Sequence, residues 1–440
     1  MKKYIGLFIF LLIVGAGWAQ EAYDLQKCLK VGLEQNYAIR IVRNLEEISD
    51  NNATLGNAGY LPTLDLSGGY SGTWDNNTSQ KFPDGTENKY NNVHNRSANV
   101  GLNLGWTIFE GLKIQTNNRR LKELQEMGAL ETRTTMENFI SNLVAEYYNY
   151  VRQNIRLKNL KAAVALSGER LRIVEARYNI GSMSRLDLQQ ARVDFNADSS
   201  LLIRQMEELN ASRIRLNELM ALENVAQKTV VSDTSIEVNM FLQEEDCWKK
   251  TLEVNSSLLI SEKNKTLSDL DYKTVRSRNF PYLKMNAGYG YAWNHYDIGT
   301  YQSQQNLGLN YGLTLGFTVF DGMNRRREQR NAKIAIENSS LEYAQLELAI
   351  SADFSNIWMA YQNNLDLLGL ERENLIVAKE NYEIALERYK LGDLSGIELR
   401  EAQNSLLSAE ERLLQAEYNT KLCEISLMQL SGQVFSYLEE

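Results

Sequence analysis

Glu398 and Glu401 stand three residues apart, so a helix that carries them shows both on one face. Such a face is either a concentration of negative charge or a solvated helix surface, and neither makes or breaks bonds. The chain's only histidines, His94 and His295, lie apart in polar stretches. A first-shell metal cage needs three or four ligands, so no metal is expected. Cys28, Cys247 and Cys423 are too few for a disulfide framework and read as buried thiols. No phosphate-binding Gly-x-x-x-x-Gly-Lys occurs, nor a zinc-spaced His/Cys set, nor a nucleophile elbow. A barrel hydrolase would need a Ser/His/Asp set near its wall, and none can be assembled. The expectation is a chain without catalysis or cofactor. Its formal net charge of −9, with no basic cluster, argues against a nucleic-acid partner.

The elements that would position these carboxylates begin after an export signal. Lys2 and Lys3, the apolar run Ile5 to Val14 and Gly17-Trp-Ala19 predict a signal peptide over 1–19. Four segments then alternate strictly. Leu64, Leu66, Gly68, Tyr70, Gly72 and Trp74 fall on one face of the first, and Val100, Leu102, Leu104, Trp106 and Ile108 on one face of the second. Leu283 to Trp293 and Leu307 to Val319 repeat the pattern, which predicts hairpins over 63–109 and 282–320. Each strand is about 12 residues, near the roughly 9–11 that cross a bilayer when tilted. The apolar faces end in Trp74, Tyr291 and Trp293 on one side and Trp106, Phe317 and Tyr282 on the other, like interface girdles. The opposite faces are polar and glycine-rich. Polar loops are expected over Asp75 to Ser97 and Asn294 to Asn306, holding both histidines. Four strands cannot close a barrel, and an open edge in lipid strands backbone polar groups. The barrel must therefore be shared, with the number of chains left open.

Pro62, Pro83 and Pro281 are the only prolines. Leu112 to Tyr178 and Met323 to Tyr389 are free of them and predict two helices far longer than a globular core uses. Each is followed by a glycine, Gly181 or Gly392, fit for a left-handed cap, and then by a returning helix. Leu399, Leu406, Leu413 and Leu427 with Ala402, Ala409, Ala416 and Cys423 form a heptad seam. The first returning helix has a more polar seam that includes Asp198, Gln205 and Ser212.

These halves are copies. Ala176-Arg-Tyr-Asn-Ile-Gly181 returns as Glu387-Arg-Tyr-Lys-Leu-Gly392, and Trp106-Thr-Ile-Phe-Glu-Gly111 as Phe317-Thr-Val-Phe-Asp-Gly322, both 211 residues on. Cys28, Leu33, Asn36 and Pro62 return as Cys247, Leu252, Asn255 and Pro281. The reading is a first repeat over 20–222, an extended linker over 223–245 that packs against the rods, a second repeat over 246–432 and a tail over 433–440.

The order, spacing and duplication of these motifs resemble the TolC-like outer-membrane efflux channels over nearly the whole mature chain. The resemblance rests on Leu25 to Asn36, both Pro-led strands, both Phe-(Glu/Asp)-Gly strand ends and both Arg-Tyr-x-x-Gly turns. It implies a mainly α fold with membrane β: an internally duplicated, homotrimeric helical tunnel plus a shared 12-stranded barrel, four strands per chain. It implies an outer-membrane protein with a large periplasmic extension. Partners would be outer-membrane lipid, a periplasmic adaptor (membrane fusion) protein and an inner-membrane RND- or ABC-type transporter. By the same resemblance Ile180, Gly181, Ser182, Leu391, Gly392 and Asp393 form the tip that meets the adaptor, and Asp187, Glu398 and Glu401 lie near the tunnel mouth. Threefold symmetry would make each carboxylate a ring, which favours cations. Tyr389 matches a tyrosine of the family's aperture lock. Leu394 replaces the lock's arginine, and Arg185 is the candidate substitute cation. The implied function is a passive exit duct. The alternatives are a duct for ABC-driven type I protein secretion and, from another class, a non-conducting structural surface protein.

Overall fold

The computed structural model describes residues 23–439, so the expected signal peptide lies outside the described residues. Helices α1 (Leu25–Gln35), α2 (Tyr37–Asn52) and α3 (Leu55–Ala58) lead to strands β1 (Thr63–Lys81) and β2 (Glu87–Glu110). Helices α4 (Lys113–Asn179) and α5 (Arg185–Leu219) follow. The second round is α6 (Glu244–Val254), α7 (Ser256–Ser277), β3 (Tyr282–His295), β4 (Ser303–Gly316), α8 (Asn324–Leu391) and α9 (Gly396–Leu430). A 3-10 turn, Val434–Leu438, ends it. The chain divides into two units. One holds the described residues up to Asn44, Leu130–Leu259 and Gln345 onward; the other holds Leu45–Ala129 and Ile260–Ala344.

The second unit carries one antiparallel sheet in the order β1-β2-β3-β4. Its register aligns the alternating residues across all four strands. Leu66, Leu102, Tyr289 and Leu309 form one apolar row; Asp65, Asn103, Gly288 and Asn310 form the next, on the opposite face. The apolar face is open: Leu66, Tyr70, Trp74, Tyr311 and Leu315 are exposed. β1 and β4 are unpaired on their outer edges among the described residues. A Cβ on Gly290 would lie 2.9 Å from the Val100 carbonyl oxygen, and one on Gly101 3.2 Å from Gly290 Cα. A side chain at either position would run into the backbone of the neighbouring strand, so glycine lets β2 and β3 pair closely there.

Four sequence expectations differ from the structure. The stretch 75–97 is mostly ladder: β1 runs on to Lys81 and β2 starts at Glu87, leaving a short turn. Asn, Ser and Thr continue the pairing without an apolar face to advertise it. β4 ends at Gly316, so Phe317 to Phe320 stand outside the hairpin expected over 282–320. A register shift between Thr107 and Phe109 brings Phe109, rather than Ile108, opposite Leu283. The histidines are also neither in loops nor apart. Both lie in strands, and Asp297 sits 3.6 Å from His94 Nδ1 and 3.7 Å from His295 Nε2.

In the first unit, α1 buries Cys28 and Leu29 against Phe139, Leu143 and Tyr147 of α4 and Leu216 of α5. Burial pushes the Cys28 thiol up to about 12, so it stays protonated and inert. Val231 and Ile236 of the extended linker and Val434 and Tyr437 of the tail join this core. Asn36 and Asn255 act alike. Each side-chain oxygen accepts the N–H two residues on, and each amide nitrogen donates to the end of a returning helix, at the Leu219 or Leu430 carbonyl. That dual bond explains the repeat of Asn at the two positions. The α9 seam is buried at Leu399, Ala402, Ala409, Ala416 and Leu427. The polar α5 seam is buried too, and paired. Gln205 donates to the Gln153 side chain at 2.7 Å, and Ser212 to Glu146 at 2.6 Å.

Candidate channel aperture

Both long helices end in the same motif for the same reason. Gly181 has φ +78° and Gly392 φ +91°, a region that L side chains avoid. The Ser182 N–H donates to the Arg177 carbonyl at 2.9 Å, and the Asp393 N–H to the Arg388 carbonyl at 2.9 Å. These six-to-one bonds satisfy the last carbonyls of α4 and α8. Two or three residues later Ser184 and Ser395 cap the returning helices. The Ser184 side chain accepts the Asp187 N–H while the Asp187 carboxylate accepts from Ser184; Ser395 and Glu398 repeat the exchange. Asp187 and Glu398 are therefore capping-box residues. The Ser-x-x-Asp and Ser-x-x-Glu signatures were legible and point to this role directly.

Ile180, Leu186, Leu391 and Ile397 are 76–79% exposed, an apolar pair repeated at each turn. Gly181, Ser182, Gly392 and Asp393 are exposed beside them. Behind this surface, Tyr389 is 1% exposed and packs with Tyr382, Ala385, Leu399 and Ala402. Leu394 packs against the same cluster, so its contact with Tyr389's surroundings is apolar. The Arg177 guanidinium lies 5.6 Å from the Tyr389 ring centre. Burial raises the Tyr389 phenol above its ordinary range, which the nearby Arg177 partly offsets. Its hydroxyl has no hydrogen-bond partner among the described residues. Arg185 is exposed, and the cations beside Tyr389 in this chain are Arg177 and Arg170.

Two ion pairs that sequence reasoning did not join bind the hairpins together. Arg170 of α4 pairs with Asp194 of α5 and also reaches the Gly396 carbonyl at 3.5 Å. Arg400 of α9 grips both oxygens of Asp198 at 2.7 Å. The Asp198 side chain is 2% exposed and that of Arg400 18%. The signal for this was Asp198 itself, a charge at an apolar seam position. A cavity of about 300 Å³ lies here, lined by Arg170, Asp187, Tyr389, Arg400 and Glu401 among others. Glu398 and Glu401 are both exposed, Glu398 in the first turn of α9 and Glu401 at the cavity. The arrangement can hold charge and clamp helices. It offers no nucleophile beside a base, and among the described residues no His/Cys/Asp/Glu group is arranged to hold a metal ion.

The capping box makes a pH prediction. The Ser395 N–H and hydroxyl donate to the Glu398 carboxylate at 3.0 and 2.8 Å and hold its pKa below the usual glutamate value. A depressed pKa means stabilisation that is complete at neutral pH and lost as pH falls through the folded value. Amide exchange at the first turn of α9 is expected to show protection that drops only in acid, below the ordinary carboxylate range. Glu398→Gln is expected to start lower and show no such drop.

The geometry can be set beside known proteins. A sequence profile described as "Outer membrane efflux protein" matches residues 31–222 and 248–433. The outer membrane protein TolC of Vibrio cholerae is 21% identical over 447 residues, covering 98% of this chain and 96% of that protein. The cation efflux system protein CusC of Escherichia coli is 22% identical over 389 residues, covering 83% and 78%. The solved CmeC outer membrane channel of Campylobacter jejuni superposes with a TM-score of 0.75 at 18% identity, covering 93% of this chain and 85% of that one. The fold class is thus mainly α with membrane β, each chain giving four strands to a shared 12-stranded barrel and helices to a trimeric tunnel. Matched in both of its repeats, the chain belongs to the outer membrane efflux protein family and is an outer-membrane protein.

Proposed function

We propose that this chain is the passive exit duct of a tripartite efflux system, receiving substrate from a periplasmic adaptor and an inner-membrane RND- or ABC-type pump. The observation that carries the reading is the doubled apolar surface at the turns: Ile180 and Leu186, then Leu391 and Ile397, open to solvent. Exposed apolar side chains set at matching places in two repeats are what a partner with repeated contacts would cover. Gly181, Ser182, Gly392 and Asp393 complete the adaptor-contact tip. In a homotrimer Asp187, Glu398 and Glu401 become rings of three carboxylates at the mouth, with Tyr389 and Arg185 as parts of the gate. The chain performs no bond chemistry, and the pump supplies the energy. Type I protein secretion uses the same duct, and the identity of the pump decides between the two. A non-conducting surface protein would leave these apolar turns without a purpose.

Ile180→Asp/Leu391→Asp tests the reading. Burying one such side chain stabilises a contact by about 1.5–3 kcal/mol. The double change is therefore expected to weaken adaptor binding by about a hundredfold or more. Efflux-dependent resistance is expected to fall to that of cells lacking the channel, with trimer melting unchanged. Full resistance in the double variant would remove the tip from the adaptor contact.

A further inference from the structure

The apolar face of the sheet carries one formal charge. Between the Leu64 and Trp74 rows, the residues on that face across all four strands are apolar or uncharged except Arg96, joined by the histidines His94 and His295. Arg96 is exposed, and its side chain makes no hydrogen bond or ion pair among the described residues. Its cross-strand partners are Gly72 on β1 and His295 on β3. Gly72 has no side chain, and a Cβ there would meet nothing nearer than the Asn95 carbonyl oxygen at 3.6 Å, so the space beside Arg96 is open. Its diagonal neighbours are Trp74, opposite His94, and Trp293, opposite Ala98. The Trp74 and His94 rings lie 4.4 Å apart, and Trp293 stacks on His295 at 6.0 Å. Asp297 accepts the His94 backbone N–H at 2.7 Å, sits beside the two imidazoles and makes no ion pair with Arg96 among the described residues. It therefore leaves the guanidinium uncompensated.

A charge on a lipid-facing strand is costly at mid-bilayer and tolerated near the interface. Arg96 stands within the tryptophan girdle at the hairpin-turn end of the sheet, where headgroups lie. The guanidinium fork matches phosphate in geometry and charge. We infer that Arg96, framed by Trp74, Trp293, His94 and His295, is a docking site for the anionic phosphate headgroup of a membrane lipid. The tryptophans would wedge against the acyl and glycerol region while Arg96 takes the phosphate.

The same tryptophans report on it. Full-length protein would be reconstituted in phosphatidylcholine vesicles carrying a minor fraction of dibrominated phosphatidic acid or, in parallel, dibrominated phosphatidylcholine. The wild type is expected to show about fivefold stronger local enrichment of the anionic quencher, the size set by one basic residue at an anionic surface. Arg96→Gln is expected to quench equally with both lipids. Arg96→Met, an apolar replacement suited to a lipid-facing strand, provides a second variant that keeps the sheet and is expected to do the same. Equal quenching by both lipids in the wild type, or an unchanged preference in both variants, would overturn the assignment. Loss of the wild-type preference on adding inorganic phosphate would also overturn it, by showing a site for the free anion rather than for lipid. Persistence of the preference in excess inorganic phosphate supports the lipid.

Discussion

Asp198→Ala is expected to destabilise the helical part by about 3–5 kcal/mol, the cost of stranding a buried charge. The change leaves the Arg400 guanidinium, 18% exposed, without the two oxygens it grips at 2.7 Å. Removing both charges is a different matter, because a buried pair replaced by apolar groups is often neutral. Asp198→Leu/Arg400→Met is therefore expected to recover most of the loss. Helical circular dichroism during urea unfolding of the detergent-solubilised trimer reads both values. The single variant also frees the start of α9 from α5, so its resting pore is expected to leak while the double variant tightens it only in part. An Asp198→Ala protein with wild-type unfolding would mean that the pair contributes nothing.

Gly111→Ala is the second large effect, and its repeat partner is the control. Gly111 has φ +58°, and a Cβ there would lie 2.1 Å from the Ser277 carbonyl oxygen and 2.9 Å from Phe280 Cβ. Backbone cannot step aside as a side-chain tip can. The left-handed conformation costs an alanine about 1–2 kcal/mol, and overpacking adds about 1–3 kcal/mol. At Gly322, φ +69°, the nearest atom is Asn324 Nδ2 at 3.7 Å, so Gly322→Ala carries the conformational cost alone. The expected result is a sharp drop in heat-resistant trimer for Gly111→Ala and a modest one for Gly322→Ala. Equal losses would refute the close approach to Ser277.

The contrast between these glycines shows where sequence reasoning stops. The Phe-(Glu/Asp)-Gly strand ends are legible as a repeat, yet which copy is crowded depends on how α7 ends, and no pattern states that. The rods are readable almost to the residue: Leu112 to Tyr178 is expected and Lys113–Asn179 observed, because 67 residues without proline leave few alternatives. Strand ends are less legible. Asn77, Thr78 and Ser79 look like loop and yet pair with Asn91, Tyr90 and Lys89, since a ladder beyond the bilayer needs no apolar face. His94 and His295 are 201 residues apart in sequence and look isolated, and only the β2–β3 register brings them to Asp297. At the aperture, Asp198 is conspicuous as a charge on a seam, while Arg400 looks like any surface arginine until α5 and α9 are placed side by side. Asp187 and Glu398 invite an electrostatic reading, and their hydrogen bonds add a structural one that the Ser-x-x-acid spacing already contained.

As a conducting duct, the chain is expected to have its constriction at the carboxylate tip. Single-channel conductance of the purified trimer in a planar bilayer tests it most directly, with Asp198→Ala and Glu398→Ala/Glu401→Ala beside the wild type. The expected result is a small cation-selective pore in the wild type, a larger conductance in Asp198→Ala, and loss of cation selectivity when both glutamates are removed. No conductance in any of the three, from protein that remains trimeric and folded, would contradict the duct and leave a structural surface protein as the better reading.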